Sequence, residues 1–252
     1  CTILIRAWCN KPKLGNVAMN NIPQQLQQIH QQIEQACHAV GREQSVVKLL
    51  AVSKTKPVED ILIAHAAGQV AFGENYVQEG VEKIQYCQQH DVSLEWHFIG
   101  PLQSNKTRLV AEYFDWMQTL ERAKIADRLN EQRPPYKAPL NVLIQINISQ
   151  EASKSGIQPC DMLTLAKHIE NLPHLRLRGL MAIPEPTNDV AQQEQTFCQM
   201  KTLFEQLQQA LPNAQIDTLS MGMTDDMQSA IKCGSTMVRI GTAIFGKRDY
   251  AK

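Results

Sequence analysis

The sequence predicts a single (β/α)8 TIM barrel, an α/β fold, preceded by one extra helix. Short strand-like apolar runs alternate along the chain with stretches in which apolar residues recur at helical spacing. Eight strand segments can be recognised, and each of the first seven is followed by a helix. Strands that alternate with helices form a parallel sheet, and eight such units need about 250 residues, close to the 252 present. An open doubly wound sheet is the main alternative, but no Gly-x-Gly-x-x-Gly motif follows an early strand.

The strands and helices are expected in a regular order. A first helix over residues 22–40 has apolar residues every three or four positions and ends at Gly41. Pro57 opens the first helix of the barrel and Gly68 ends it. The predicted strands are 46–53, 70–72, 94–99, 114–119, 140–148, 175–182, 216–220 and 237–240. The predicted helices between them are 58–67, 76–89, 106–112, 122–132, 160–170, 190–210 and 225–232, and a short tail follows the last strand.

The chain is expected to hold one domain, residues 19–252, after an N-terminal extension. Residues 1–18 show neither a helical nor a strand period, and the first methionine is Met19. We therefore expect residues 1–18 to be non-native or disordered. Their apolar part is too short for a secretory signal.

Composition narrows the class of protein. Lys plus Arg and Asp plus Glu both number 25, so net charge gives no reason to expect a nucleic acid or an anionic membrane as partner. No apolar run approaches the roughly 20 residues of a membrane-spanning helix. The 7 cysteines are scattered, with no Cys-x-x-Cys pair and no zinc-type spacing. We therefore expect a soluble, cytoplasmic protein that binds no metal.

Lys54 is the first candidate for a functional residue. It ends the segment LLAVSK, which reads as a buried strand, and chemistry gathers where barrel strands end. A desolvated lysine can act as a nucleophile, because only its neutral amine attacks a carbonyl. A solvated surface lysine is the ordinary alternative, and Lys56 is either a second candidate or a solvated neighbour.

The segments after strands 7 and 8 suggest an anion site. Ser220, Gly222 and Thr224 precede a helix, and Gly241-Thr242 follow the last strand. Glycines allow close backbone approach, and this is the usual phosphate position in such barrels. The alternative is plain helix capping by Thr224, with Asp225 and Asp226 in the first turn, and these carboxylates would repel a phosphate if they pointed inward.

Arg239 lies inside the apolar strand MVRI, where a permanent charge needs a partner. It points either into the barrel or outward to a helix carboxylate.

A lysine nucleophile, a phosphate cradle and an inward arginine together suit an aldehyde that bears a phosphate. Pyridoxal 5'-phosphate (PLP) fits, and so does a phosphosugar bound to a class I aldolase. His97 is a possible base for the aldolase, although a hydrogen-bonded core histidine is the commoner case.

An ordered set of segments resembles the pyridoxal phosphate homeostasis proteins. These segments are LLAVSKTKP, FGENYVQE, EWHFIGPLQSNK, INIS with SKSG, RGLMAIP, LSMGMTDDM and GSTMVRIGTAIFG, and they cover the chain from about Met19 to its end. The resemblance implies a fold-type III PLP-binding barrel of the alanine racemase N-terminal kind.

The resemblance also implies roles for individual residues. Lys54 is expected to form a Schiff base with PLP, Arg239 to lie near the pyridine nitrogen, and Asn75 to line the pocket. Phosphate contacts are expected from Ser220, Gly222, Gly241 and Thr242.

The implied function is to hold PLP and to buffer or deliver it to PLP-dependent apoenzymes, with no catalytic residue assigned. A weak amino-acid racemase or another PLP enzyme is the alternative. Racemisation needs a second acid/base on the opposite face of the substrate, which a second β domain supplies in similar racemases. We expect no such domain here, because the last predicted strand lies close to the end of the sequence. Without that domain, a monomer is expected.

Overall fold

The computed structural model describes residues 21–149 and 155–247. The predicted extension at residues 1–18 lies outside the described residues. Within the described ranges, no helix combines the length and the apolar character needed to cross a membrane.

Eight parallel strands close into a barrel, so that the first strand pairs with both the second and the last. The (β/α)8 prediction is therefore confirmed, and the open sheet is excluded. The strands are β1 (Lys48–Val52), β2 (Ala71–Glu74), β3 (Glu95–Phe98), β4 (Trp116–Leu120), β5 (Leu140–Gln145), β6 (Leu175–Met181), β7 (Thr218–Ser220) and β8 (Met237–Ile240).

The helices surround the barrel, and the predicted extra helix comes first. They are α1 (Ile22–Ala39), α2 (Val58–Ala66), α3 (Val77–Gln89), α4 (Thr107–Tyr113), α5 (Ala123–Gln132), α6 (Met162–Glu170), α7 (Val190–Ala210), α8 (Met227–Lys232) and α9 (Thr242–Phe245). Single 3-10 turns precede β1, α4 and α6.

The main core lies between the sheet and the helices, as the apolar stripes of the helices require. Its largest fully buried side chains include five phenylalanines: Phe72, Phe98, Phe114, Phe197 and Phe245. The barrel interior is partly polar, because Gln118 on β4 hydrogen bonds to Ser220 on β7 across the barrel. All eight strands run in the same direction, so their carboxyl ends meet at one mouth.

Several predicted boundaries were wrong, each for an identifiable reason. The second strand extends past Phe72 to Glu74, because Gly73 and Glu74 pair with His97 and Phe98 of β3. The fifth strand ends at Gln145 rather than at residue 148, since the chain there leaves β6 and forms only an isolated bridge between Ile146 and Ile157.

The start of α8 and the segment after β8 also differ from the prediction. Helix α8 begins at Met227, two residues later than predicted, so Thr224 lies in the preceding loop and does not cap the helix. The predicted tail contains the short helix α9, because Ile244 and Phe245 are completely buried.

Candidate functional site

A cavity of about 240 Å³ opens at the carboxyl ends of the strands. Its wall combines an amine, a guanidinium, a carboxamide and a glycine-containing turn, together with apolar side chains. The lining residues are Val52, Lys54, Asn75, Ile99, Ile183, Met223, Thr224, Asp225, Arg239, Gly241 and Thr242. The structure thus brings together most of the residues predicted from the sequence.

A larger groove of about 800 Å³ lies outside the barrel, between α1, α7 and α8. Its wall is mostly the polar surface of these helices, with Gln32, Gln193 and Lys232 among its residues. Thr224 and Asp225 line both spaces, so the loop after β7 separates the groove from the cavity. We take the smaller cavity as the candidate site, because the chemically distinctive side chains converge there.

Lys54 lies in a tight turn directly after β1 and is half-buried. The next residue, Thr55, has a φ of 64°, a left-handed conformation that a β-branched residue rarely adopts. Two hydrogen bonds from outside hold the turn: Thr55 N donates to Glu79 Oε1 at 2.6 Å, and Lys83 Nζ donates to Ser53 O at 2.8 Å. The residues on both sides of Lys54 are therefore attached to α3.

A buried polar cluster supports this turn. Glu74 Oε1 accepts hydrogen bonds from Lys83 Nζ at 2.7 Å and from Ser53 Oγ at 2.6 Å, and Lys83 also contacts Glu79. Glu74 is completely buried, and this burial raises its pKa to about 7 although Lys83 and Ser53 act to lower it. The cluster therefore holds a carboxyl group that titrates near neutral pH beneath the lysine turn.

Asn75 follows β2 and lines the cavity, and its backbone packs closely against Gly100. A Cβ atom on Gly100 would lie 2.0 Å from Asn75 O, so only glycine fits there. The Asn75 Oδ1 atom is buried and has no hydrogen-bond partner among the described residues. Since buried polar atoms are nearly always paired, this oxygen is available to a ligand in the cavity.

Ser220 and Gly222 do not line the cavity. Ser220 is completely buried, and its hydroxyl accepts from Arg239 Nη1 at 2.8 Å and donates to Gln118 Oε1 at 2.7 Å. Gly222 has a φ of 98°, and a Cβ there would lie 2.6 Å from the Ala230 Cβ. Its absent side chain lets the loop pass over α8 before it turns into the cavity wall.

Gly241 and Thr242 form the turn from β8 into α9 and do line the cavity. A Cβ on Gly241 would lie 3.2 Å from Val52 O, so the turn lies close to β1 and hence to Lys54. Two acidic residues lie in the neighbouring loop after β7. Asp225 lines the cavity, whereas Asp226 accepts a hydrogen bond from Met223 N at 2.6 Å.

Arg239 points into the barrel, and the outward orientation is excluded. Its exposure is 4%, and Nη2 donates to Ala182 O at 2.9 Å in addition to the bond to Ser220. Burial lowers its pKa to about 10, partly offset by the charge of Asp226, so the guanidinium is protonated at neutral pH. A guanidinium has five N–H donors, and these two bonds leave others for the cavity.

The other candidates lie elsewhere. His97 is completely buried, hydrogen bonds to Glu95 and Gln118, and stacks on Trp116, so it is a core histidine. Lys56 Nζ donates to Lys247 O at 2.8 Å and is not part of the cavity wall. The described residues contain no His, Cys, Asp and Glu cluster suited to a metal ion.

Sequence reasoning missed Glu74, Lys83, Gly100 and Gln118 as residues that build the site. Glu74 carried only a weak signal, because the predicted strand ended at residue 72. In the structure Glu74 lies within β2, where a buried carboxylate needs a partner. Its partner, Lys83, lies nine residues further on within an ordinary amphipathic helix, where nothing marks it.

Comparison with known proteins finds similar proteins over most of the chain. The chain matches the family model described as the alanine racemase N-terminal domain over residues 24–249. It is 77% identical over 231 residues to the pyridoxal phosphate homeostasis protein of Pasteurella multocida, covering 92% of this chain and 99% of that one. It is 58% identical over 235 residues to the protein of the same name from Escherichia coli K12, covering 93% and 100%.

Two solved structures share the fold of this chain. PipY of Synechococcus elongatus with PLP bound is 32% identical, with a TM-score of 0.78, and the match covers 90% of this chain and all of PipY. An alanine racemase of Clostridium difficile shares only the fold, at 14% identity with a TM-score of 0.70, and the match covers 93% of this chain and 58% of the racemase.

Proposed function

We propose that this chain, which belongs to the family of pyridoxal phosphate homeostasis proteins, binds PLP at the mouth of its barrel and takes part in PLP homeostasis. In this proposal Lys54 would hold PLP as a Schiff base with the aldehyde of the cofactor. The protein then holds the cofactor and buffers or delivers it.

The single observation that carries the proposal is the convergence of Lys54, Arg239 and the Gly241–Thr242 turn on one cavity. An aldehyde, a ring nitrogen and a phosphate are three separate groups of one ligand, and these residues supply one matching partner for each. The unpaired Oδ1 of Asn75 supports the presence of a polar ligand in the same space. A phosphosugar lacks the ring nitrogen, so Arg239 favours PLP over the class I aldolase substrate.

Lys54 depends on its turn to reach the ligand. The hydrogen bonds from Thr55 N to Glu79 and from Lys83 to Ser53 O restrict the backbone on either side of it. A nucleophile held in this way loses less conformational entropy when it reacts.

The phosphate is expected at the two loops that follow β7 and β8. Gly241 and Thr242 place their backbone close to the cavity, and Gly222 shapes the neighbouring loop without lining it. Asp225 opposes phosphate binding there, because two negative charges repel, and so it limits the affinity. A limited affinity suits a protein that releases its cargo.

Arg239 favours a role in holding PLP rather than in catalysis. A guanidinium donates hydrogen bonds and accepts none, so it selects an unprotonated ring nitrogen. PLP bound in that form is a weaker electron sink for carbanions than protonated PLP. We therefore propose a non-enzymatic role in which the protein passes PLP to apoenzymes. The monomeric state and the cytoplasmic location expected from the sequence are part of the same proposal.

The test is borohydride reduction of the PLP-loaded protein followed by peptide mass spectrometry. We expect PLP to be fixed on the peptide that carries Lys54. Lys54→Ala should remove this product and the visible absorption band of the protein-bound PLP. Lys56→Ala is the matched control, because this lysine lies next to the same turn but outside the cavity wall, and it should retain both signals. PLP fixed equally on other lysines in Lys54→Ala would contradict the proposal.

A further inference from the structure

A continuous chain of hydrogen bonds runs through the barrel interior from the candidate site toward the opposite end of the barrel. Arg239 Nη1 lies 2.8 Å from Ser220 Oγ, and Ser220 Oγ lies 2.7 Å from Gln118 Oε1. Gln118 Nε2 lies 2.8 Å from His97 Nδ1, and His97 Nε2 lies 2.5 Å from Glu95 Oε1. The chain therefore links four strands, β8, β7, β4 and β3, and joins the cavity to a carboxylate at the amino end of β3.

The two ends of the chain determine the direction of every bond in it. Arg239 can only donate, so the Ser220 oxygen accepts and its single hydrogen is directed to Gln118. The Gln118 amide then donates through Nε2, which makes His97 Nδ1 an acceptor and places the histidine proton on Nε2. A carboxylate can only accept, so the chain ends at Glu95 without a conflict.

Burial makes this arrangement costly to break. Ser220, Gln118 and His97 are all completely buried, and an unpaired buried polar group costs about 1–3 kcal/mol. Burial lowers the pKa of His97, which favours the neutral ring that the chain requires, even though Glu95 acts to raise this pKa. Burial alone would raise the pKa of Glu95, but its hydrogen bonds to His97 and Lys48 lower this pKa below its usual range, so the end of the chain is a carboxylate.

We propose that Gln118 and His97 are positioning residues, which hold the Ser220 hydroxyl as an acceptor toward Arg239 and so orient the guanidinium for the ligand. This inference rests on the proposed function, since it assigns the way in which Arg239 meets PLP. It also changes the role of Ser220: its one hydrogen is used by Gln118, so the side chain positions Arg239 and does not donate to a phosphate.

The first test is a double-mutant cycle on PLP affinity with Gln118→Met and Arg239→Met. We expect Gln118→Met to weaken binding about tenfold in the wild-type background and to have little effect once Arg239 is replaced, because the two residues act through one contact. Gln69→Met is the matched control, since Gln69 is also buried and donates two hydrogen bonds, to Leu49 O and Ala71 O, away from Arg239. This control should leave affinity unchanged.

Ser220→Ala gives a second variant in case Gln118→Met does not fold, and it should show the same coupling to Arg239. Nitrogen NMR of His97 in the ligand-free protein tests the direction of the chain independently, and a proton on Nε2 alone is expected. Additive effects of Gln118 and Arg239 in a wild type that binds PLP, or a proton on Nδ1, would overturn the inference and leave the proposed function intact. A wild type that binds no PLP would instead overturn the proposed function, and the inference with it.

Discussion

Lys83 Nζ lies 2.7 Å from Glu74 Oε1, and both side chains are almost completely buried, at 7% and 0% exposure. A buried ion pair rarely adds much net stability, because desolvation offsets the attraction. Here the pair has a structural purpose, since Lys83 also bonds to Ser53 O and to Glu79, next to the residue proposed to bind the cofactor. The turn that carries Lys54 is therefore held by a cluster whose members lie on β2 and α3.

Replacing Lys83 should strongly destabilise the protein. Lys83→Met leaves Glu74 buried without its cation, and such a change costs about 3–5 kcal/mol. Urea denaturation with a fluorescence readout measures the free energy of unfolding. Lys232→Met is the matched control, because Lys232 pairs with Glu194 at the surface and its loss should change stability little. Equal effects of the two substitutions would contradict the assigned role of the cluster.

The stability contributed by Glu74 should depend on pH in a defined range. Its pKa is raised to about 7 in the folded protein from 4.5, so the folded state binds more protons than the unfolded state between these values. Its contribution is therefore fully present below about pH 4.5 and is lost as the pH rises through 7, by on the order of 3 kcal/mol.

The comparison with Glu74→Gln isolates this effect, because His97 has a lowered pKa and acts in the opposite direction. The measurement is the free energy of unfolding of both proteins at several pH values from 4 to about 8. The difference between wild type and Glu74→Gln should shift against the wild type as the pH rises. A difference that stays constant would mean that Glu74 does not titrate in this range.

Gly222 should tolerate no side chain. Its φ of 98° is strained for other residues, and the new Cβ would lie 2.6 Å from the Ala230 Cβ. We expect Gly222→Ala to cost about 2–4 kcal/mol in thermal or urea unfolding. Gly41→Ala provides the comparison, because Gly41 has a φ of 68° but nothing within 4 Å, and it should cost only about 1 kcal/mol. Equal losses would show that steric contact at Gly222 is unimportant.

Removing the charge of Asp225 should strengthen PLP binding. Asp225 lines the cavity, and its carboxylate repels a phosphate at the neighbouring loops. We expect Asp225→Asn to lower the dissociation constant about two- to fivefold at low salt and by less at high salt, because salt screens the repulsion. Titration followed by fluorescence measures this constant, and Asp91→Asn, an exposed change after α3, should have no effect. Weaker binding by Asp225→Asn would mean that this carboxylate contacts the ligand favourably.

The fold followed from the sequence because each element carried its own periodic signal. Strand β8 was predicted at the residues where it is found, and the predicted helix at residues 190–210 matches α7. The predicted boundaries were wrong where pairing with a neighbouring strand sets the end of a strand, as it does for Gly73 and Glu74 of β2. The helix start at Met227 failed because Asp226 accepts a bond from Met223 N, so the loop continues past Thr224.

The sequence by itself determined the order of eight strands and helices. It placed Lys54, Asn75 and Gly241–Thr242 after strands and Arg239 within the last strand, and these positions meet at one mouth once the barrel closes. The tertiary structure alone decided which side chains face the cavity and which hold the cavity residues in place through hydrogen bonds. Ser220 is held by Gln118, 102 residues earlier in the chain, and the Lys54 turn is held by Glu74 and Lys83. Hydrogen bonds between residues so far apart depend on the closed barrel, and no local pattern in the chain records them.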